Sequence, residues 1–112
     1  MGKLYNLEKV TELAEGDKSF VELLVNAFLE EIPDDLEKMT QAVENNDTKT
    51  AYQCAHKMKP NFLLFGIDVV DKVRLLESWK DGKIGFKEAQ PALMFVKETA
   101  NTAIAQLQQD FK

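Results

Sequence analysis

Cysteine, histidine and long apolar runs are scarce or missing in this chain, and each scarcity narrows what the protein can be. Cys54 is the only cysteine among 112 residues, so no internal disulfide can form, which is typical of a reducing compartment. His56 is the only histidine, which argues against a zinc or di-iron site built on several histidines. No run of about 18 apolar residues could span a bilayer, and the N-terminus lacks the apolar core of a signal peptide. We therefore expect a cytoplasmic protein.

Basic residues are also too few for a nucleic-acid-binding protein. The chain has 14 basic and 19 acidic side chains, a net charge of −5, whereas nucleic acid and anionic membranes both attract basic patches. Apolar residues make up 45% and charged residues 29% of the chain, which is ordinary for a soluble globular protein. With no linker or low-complexity segment, the composition predicts one domain over 1–112, with neither nucleic acid nor membrane as its partner.

Apolar residues recur every three or four positions along most of the chain, and no segment alternates for long enough to predict a strand. This periodicity predicts a short helix over 7–15, a long second helix, a central helix, a fourth helix and a last helix after a loop at 82–85. Short loops between long amphipathic helices make neighbours antiparallel. The predicted fold is all-α, an antiparallel four-helix bundle with a short additional N-terminal helix.

Short polar residues stand where these helices should begin. They predict the N-caps of the first four helices, which are, in order, Asn6, Asp17, Asp47 or Thr48, and Asp68. Gly16 suits the left-handed residue that ends the first helix, and the central helix is expected to run to about Phe65 and to stop at Gly66. Pro33 interrupts the second helix, and because an interior proline costs about 3 kcal/mol we expect a kink or a break near Ile32.

The central helix has two apolar or mixed stripes, and its histidine lies on the second. The first stripe is spaced as an inward seam of a bundle and consists of Ala51, Ala55, Met58, Phe62 and Phe65. The second stripe, turned away from the seam, consists of Tyr52, His56, Lys59, Leu63 and Gly66. The spacing therefore predicts an outward imidazole with an ammonium group one turn away.

The residues exclude most catalytic chemistry. No glycine-rich phosphate-binding loop, Gly-x-Ser-x-Gly motif or Cys-His pair with an orienting acid is present, so neither ATP binding nor a hydrolytic triad is expected. We predict no cofactor and no metal. A neutral imidazole is a good nucleophile near neutral pH, and a phosphoryl group on His56 would be stabilised by water and the Lys59 ammonium. The alternative is an ordinary solvent-facing histidine without chemistry.

A longer pattern resembles a known family. Ala55-His56-x-x-Lys59, followed by Gly66 and then Leu76-Glu77, is similar to the histidine phosphotransfer (HPt) domain of multistep two-component phosphorelays. The resemblance extends over nearly the whole chain, including the predicted layout of five helices. It implies that His56 is the phosphoacceptor and that Lys59 supports the phosphorylated state electrostatically. It also implies that Gly66, a further partner-binding residue, allows close packing or a close approach at the end of the helix.

The resemblance also implies partners and an activity. Members of the family carry a phosphoryl group from the aspartate of one receiver domain to another, without kinase or ATPase activity of their own. The expected partners are response-regulator receiver domains and a hybrid sensor histidine kinase, and the chain is expected to act as a monomer. We expect a receiver to dock on the face formed by Tyr52, His56, Lys59, Pro60 and Leu63, with a neighbouring helix, the second, supplying the other half.

Two residues depart from the family pattern, because Met58 stands where Leu is usual and Pro60 stands where Gly is usual. Met58 keeps the apolar volume of a leucine. Pro60 lacks the N–H that would bond the His56 carbonyl, so we expect a kink centred at the histidine, the alternative being a helix that ends near Lys59 and restarts.

Two rival functions are a helical adaptor that binds a receiver or kinase without carrying phosphate, and a bundle enzyme with His56 as general base, which lacks a second catalytic group.

Overall fold

Five α-helices make up the protein, and none of residues 2–111, which the computed structural model describes, lies in a β-strand. They run over the following ranges: α1 Glu8–Leu13, α2 Lys18–Glu44, α3 Thr48–Leu64, α4 Val70–Trp79 and α5 Phe86–Asp110. α2 packs against α3 and α5, and α4 packs against the same two helices, which closes a four-helix ring. α1 packs on α2. The predicted all-α antiparallel bundle with a short additional helix is confirmed.

The inward faces of these helices form one continuous apolar core. The α3 seam is buried as its spacing predicts, with Ala51, Ala55, Met58 and Phe62 fully buried and Phe65 1% exposed. α4 contributes Val73, Leu76 and Trp79, and α5 contributes an alanine-rich seam that lets it approach α2 and α4 closely. Burial of this apolar surface, at about 25 cal/mol per Å², is what holds helices of modest intrinsic propensity together.

Two of the predicted N-caps are confirmed and two are displaced. The Asp17 carboxylate accepts from the N–H groups of Ser19 and Phe20, and the Asp47 carboxylate accepts from the N–H of Thr50. Leu7 rather than Asn6 occupies the N-cap of α1, although the Asn6 side chain accepts from the N–H of Glu8. Asp68 caps nothing, because α4 begins one residue later with Val69 as its N-cap and no side-chain cap hydrogen bond.

Pro33 does not break α2. The helix is continuous from Lys18 to Glu44, so a break near Ile32 is wrong, while the alternative of a kink there stays a prediction. Pro33 faces solvent while Ile32 and Leu36 are buried beside it. The apolar packing on both sides of the proline outweighs the cost of about 3 kcal/mol for its missing hydrogen bond and its ring. Phe20 and Ala27, although spaced with the α2 seam, are exposed on this helix.

Candidate functional site

His56 faces solvent from the middle of α3. Its side chain is 63% exposed, whereas its neighbour Ala55 is fully buried. The helix geometry explains the difference, because successive side chains lie about 100° apart and the buried seam fixes the rotation of α3 in the bundle. The predicted outward orientation of the imidazole is confirmed.

Glu77 of α4 binds the two α3 residues that the sequence singles out. One carboxylate oxygen, Oε2, lies 3.0 Å from Nδ1 of His56, and the other, Oε1, accepts from Nζ of Lys59 at 2.8 Å. The Glu77 side chain is only 12% exposed, so these contacts are partly shielded from water. The carboxylate therefore holds the histidine and the lysine as a single unit.

This arrangement determines which nitrogen of His56 is free. Burial raises the pKa of the Glu77 carboxyl, but the hydrogen bonds from Lys59 and His56 outweigh that effect, and its pKa is lowered overall. An ionised carboxylate only accepts hydrogen bonds, so Nδ1 of His56 must carry the proton in the contact. In the neutral ring the lone pair then lies on Nε2, which the carboxylate does not contact.

His56 lines an open depression on the surface. α3 lines it with Tyr52, His56 and Lys59, and α4 completes it with Arg74, Glu77, Ser78 and Asp81. Arg74 makes no ion pair or side-chain hydrogen bond with any residue in 2–111, so its guanidinium is available for an anion. The depression is wide enough for contact with another protein rather than for enclosure of a small ligand.

Tyr52 stacks on the imidazole from the preceding turn of α3. The two ring planes are 9° apart and the ring centroids are 5.6 Å apart, which is an offset-stacked pair. Nζ of Lys80 lies 4.5 Å from the centroid of the same tyrosine ring, within the range of a cation–π contact. One face of the histidine ring is thus covered by the protein's own aromatic side chain.

The remaining predicted site residues do not line the depression at His56. Pro60 and Leu63 are exposed further along α3, where Leu63, 45% exposed, borders a separate depression with Asn6 and Lys9. Gly66 lies beyond the C-terminus of α3 with a φ of 62°, and a Cβ placed there would be 2.7 Å from the Cβ of Asn6. Gly66 therefore allows the N-terminal segment to approach this end of α3, and a role for Gly66 in partner binding stays a prediction.

α3 is continuous through Pro60, so the alternative of a helix that ends near Lys59 and restarts is wrong. Proline has no N–H, and the His56 carbonyl accordingly receives no bond from residue 60. A kink centred on the histidine stays a prediction.

α3 is joined to α2 by an ion pair between an exposed lysine and a buried carboxylate. Nζ of Lys57 donates to Oδ1 of Asp35 at 3.1 Å, and Asp35 is only 3% exposed. Hydrogen bonding to Asp35 raises the pKa of Lys57, and burial raises the pKa of the neighbouring Cys54 thiol. Lys57 thus contacts α2 whereas His56 contacts α4, which puts α4 rather than α2 beside the imidazole. A contribution of α2 to docking stays a prediction.

The sequence analysis did not assign a role to Glu77, Arg74 or Lys80. A signal existed for the first, because Leu76-Glu77 is part of the family pattern and the burial of Leu76 and Trp79 turns residue 77 off the apolar seam. Nothing local marks Arg74 or Lys80, since both are ordinary charged residues of an amphipathic helix.

Among residues 2–111, no three His, Cys, Asp or Glu side chains are grouped so that they could hold a metal ion. Likewise, no helix in this part of the chain is both long and apolar enough to cross a membrane.

Comparison with known proteins identifies the family. No curated protein and no solved structure matches the chain significantly. A family model described as the Hpt domain matches residues 23–110, well over half of the chain. Hpt domains are helical phosphocarrier modules of phosphorelays that interact with receiver domains and kinases, which agrees with the observed bundle and its single exposed histidine. The chain therefore belongs to the Hpt domain family.

Proposed function

We propose that His56 is the phosphoacceptor of this Hpt domain, and that it takes a phosphoryl group from a receiver-domain aspartate and passes it to a second receiver. The observation that carries the proposal is the pairing of Nδ1 with Glu77 at 3.0 Å on a side chain that is 63% exposed. This contact leaves a lone pair on Nε2, facing solvent, at a position that a partner can reach.

The transfer needs no general base. Nε2 attacks the phosphorus, the bond between phosphorus and the aspartate oxygen breaks, and the aspartate leaves as a carboxylate. Because Nε2 carries no proton in this tautomer, none has to be removed when the N–P bond forms. Glu77 accepts from Nδ1–H throughout and stabilises the positive charge that develops on the ring. The return step to the second receiver is the reverse of this reaction.

Two cations face the phosphoryl group in this proposal. Lys59 is held by Glu77 on the same side of α3 as His56, and Arg74 lines the same depression from α4. Both can offset the charge of a phosphoryl group on Nε2, and Arg74 can also bind an acidic group of the partner. Lys59 supplies this support as a member of the Glu77 unit rather than as a free ammonium.

The receiver docks over the exposed face of α3, formed by Tyr52, His56, Lys59, Pro60 and Leu63. This face combines apolar contacts with a cationic depression, as transient interfaces of limited area commonly do. We infer that the chain acts as a monomeric carrier without kinase activity, in the cytoplasm, between response-regulator receivers and a hybrid sensor histidine kinase.

The test is phosphotransfer from receiver domains that have been phosphorylated with a radiolabelled phosphodonor. We expect the wild-type chain to gain label that is stable in alkali and labile in acid, and His56→Gln to gain none while its circular dichroism is unchanged. Gln53→Ala, an exposed change on the same helix, is the matched control and should take label like wild type.

Persistent labelling of His56→Gln would refute the assignment of the acceptor. Binding of a receiver by the wild-type chain without any transfer of label would instead support the helical adaptor.

A further inference from the structure

Tyr52 and Lys80 make contacts at His56 that the transfer reaction does not require. Tyr52 lies one helical turn before the histidine, with its ring 9° from parallel to the imidazole and 5.6 Å from it between centroids. Lys80, from the end of α4, places Nζ 4.5 Å from the centroid of that tyrosine. Two side chains of α3 and one from the residue after α4 are thus linked by successive contacts, and we call them the Lys80–Tyr52–His56 column.

We propose that Tyr52 is a positioning residue that holds the His56 ring in its reactive orientation, and that Lys80 holds Tyr52. The proposal rests on His56 being the phosphoacceptor. It changes the role of Tyr52 from a contact for the partner to a support for the acceptor.

The physical argument concerns the freedom left to an exposed imidazole. A single hydrogen bond to Glu77 fixes the position of Nδ1 but allows the ring plane to tilt about that contact. A nearly parallel aromatic ring with its centroid 5.6 Å away disfavours the tilt, so the two contacts together fix the direction of the Nε2 lone pair. In-line attack on phosphorus depends on that direction, because misalignment of the reacting atoms slows the reaction.

The tyrosine ring also favours the charge that develops on the histidine. When Nε2 forms its bond to phosphorus, the imidazole gains positive character, which the negative face of an aromatic ring stabilises. Lys80 restricts Tyr52 through the same kind of interaction. Since Lys80 follows the last residue of α4, the packing of α4 against α3 determines whether the column forms.

The competing role for Tyr52 is direct contact with a docked receiver. The two roles predict different effects of a Tyr52 substitution on phosphorylation of His56 in the absence of a receiver. The small phosphodonor phosphoramidate is therefore the probe. Nε2 attacks its phosphorus, the P–N bond of the donor breaks, and ammonia leaves with its own protons, so no further reactant is needed. A docking residue has no influence on this reaction, whereas a positioning residue does.

The experiment measures the rate of His56 phosphorylation by phosphoramidate together with the proton chemical shifts of the His56 ring. We expect Tyr52→Leu to slow phosphorylation by roughly three- to tenfold and to abolish the ring-current shift, because it removes the stacked ring. Tyr52→Phe should keep both the rate, within about twofold, and the shift, because stacking needs the ring rather than the hydroxyl.

Lys80→Met is the second variant and tests the column without any change in the α3 sequence. It should slow phosphorylation by about twofold and reduce the ring-current shift, and Lys80→Arg should restore both. Lys72→Met is the matched control, since Nζ of Lys72 lies 5.8 Å from the centroid of the Phe95 ring, outside the depression, and the change should leave rate and shift unaltered.

Equal phosphoramidate rates for wild type and Tyr52→Leu would overturn the proposal, even if transfer from a receiver became slower in that variant, since Tyr52 would then be a docking residue. A loss of rate in Tyr52→Phe as large as in Tyr52→Leu would also overturn it, because the hydroxyl would then be responsible. Failure of any receiver to phosphorylate the wild-type chain would refute the proposed function and would leave the phosphoramidate comparison as a test of the column.

Discussion

At the residue scale, Glu77 decides how His56 can react. It is the only acidic side chain of residues 2–111 that is hydrogen-bonded to the histidine, and it also accepts from Lys59. A carboxylate behind an imidazole is a common way to fix the tautomer of a reactive or metal-binding histidine. Here the carboxylate belongs to a different helix from the histidine, so the contact also depends on how α4 packs on α3.

Glu77→Gln should reduce the fraction of neutral His56 that carries its proton on Nδ1, and should slow phosphorylation at Nε2. The reason is that a neutral amide is a weaker acceptor than a carboxylate and can present its NH₂ group instead. The tautomer is measured from the ¹⁵N chemical shifts of the His56 ring. An unchanged tautomer ratio in the variant would show that the carboxylate does not select the nitrogen.

The same variant should be less stable than wild type at neutral pH, and this difference in stability should disappear in acid. Because the pKa of Glu77 is lowered in the folded protein, its contribution to stability is present above the pKa of the unfolded chain and is lost as the pH falls through the folded value. We expect wild type to exceed Glu77→Gln by roughly 1 kcal/mol near pH 7, with the gap closing below about pH 4.5. Urea unfolding at several pH values measures it, and a gap that widens in acid would contradict the sign.

At the element scale, α3 has two exceptional positions near its C-terminal end. Pro60 lies inside the helix without breaking it, and Gly66 follows the helix with a φ of 62°. The close contact of Gly66 is with Asn6, whose N–H donates to the Phe65 carbonyl at 2.7 Å. The glycine therefore serves the junction of the N-terminal segment with α3, about 15 Å along the helix from His56.

Gly66→Ala should destabilise the protein without affecting phosphorylation of His56. A Cβ at this position would both occupy the left-handed region and lie 2.7 Å from the Cβ of Asn6, so we expect a loss of roughly 2–4 kcal/mol. Gly82→Ala is the matched control. Gly82 has a φ of 74°, and a Cβ placed there would meet no atom of a non-neighbouring residue within 4 Å, so this variant should lose only about 1 kcal/mol of stability. Equal losses in the two variants, measured by urea unfolding, would mean that the contact with Asn6 is unimportant.

At the scale of the whole molecule, the segment before α1 contacts the C-terminal ends of both α5 and α3. The Tyr5 hydroxyl and Lys3 both contact the Asp110 carboxylate near the end of α5, while Asn6 bonds to the end of α3. Burial, together with the hydrogen bond to Asp110, raises the pKa of Tyr5 to about 12. The segment that precedes α1 thus connects α3 and α5, which are far apart in sequence.

Tyr5→Phe should reduce the alkaline sensitivity of the fold. The folded protein holds the phenol proton more tightly than the unfolded chain, so the contribution of Tyr5 is fully present below its ordinary pKa near 10 and is lost as the pH rises towards 12. We expect wild type to exceed Tyr5→Phe by roughly 1 kcal/mol near pH 8, with the gap narrowing from pH 10 upwards. A gap that stays constant up to pH 12 in urea unfolding would contradict this assignment.

Much of the fold could be predicted from the sequence because it is encoded locally. The three- and four-residue spacing of apolar side chains predicts the five helices, the buried seam of α3 and the outward direction of His56, since each depends only on neighbours one turn away. The predictions that fail are those in which a local conformational preference is opposed by tertiary packing. Pro33 predicts a kink or a break from local rules alone, and the break does not occur because packing around Ile32 outweighs the local cost.

Periodicity along a helix is a short-range property, so the order of the amino acids specifies the helices, the core and the placement of one imidazole on the surface. The surroundings of that imidazole depend instead on how the helices pack. The contacts of His56 with Glu77, of Tyr52 with Lys80, and of Gly66 with Asn6 join residues from different segments of the chain. Which side chains meet in such pairs depends on the rotation and register of packed helices, and these follow from the fit of the whole core.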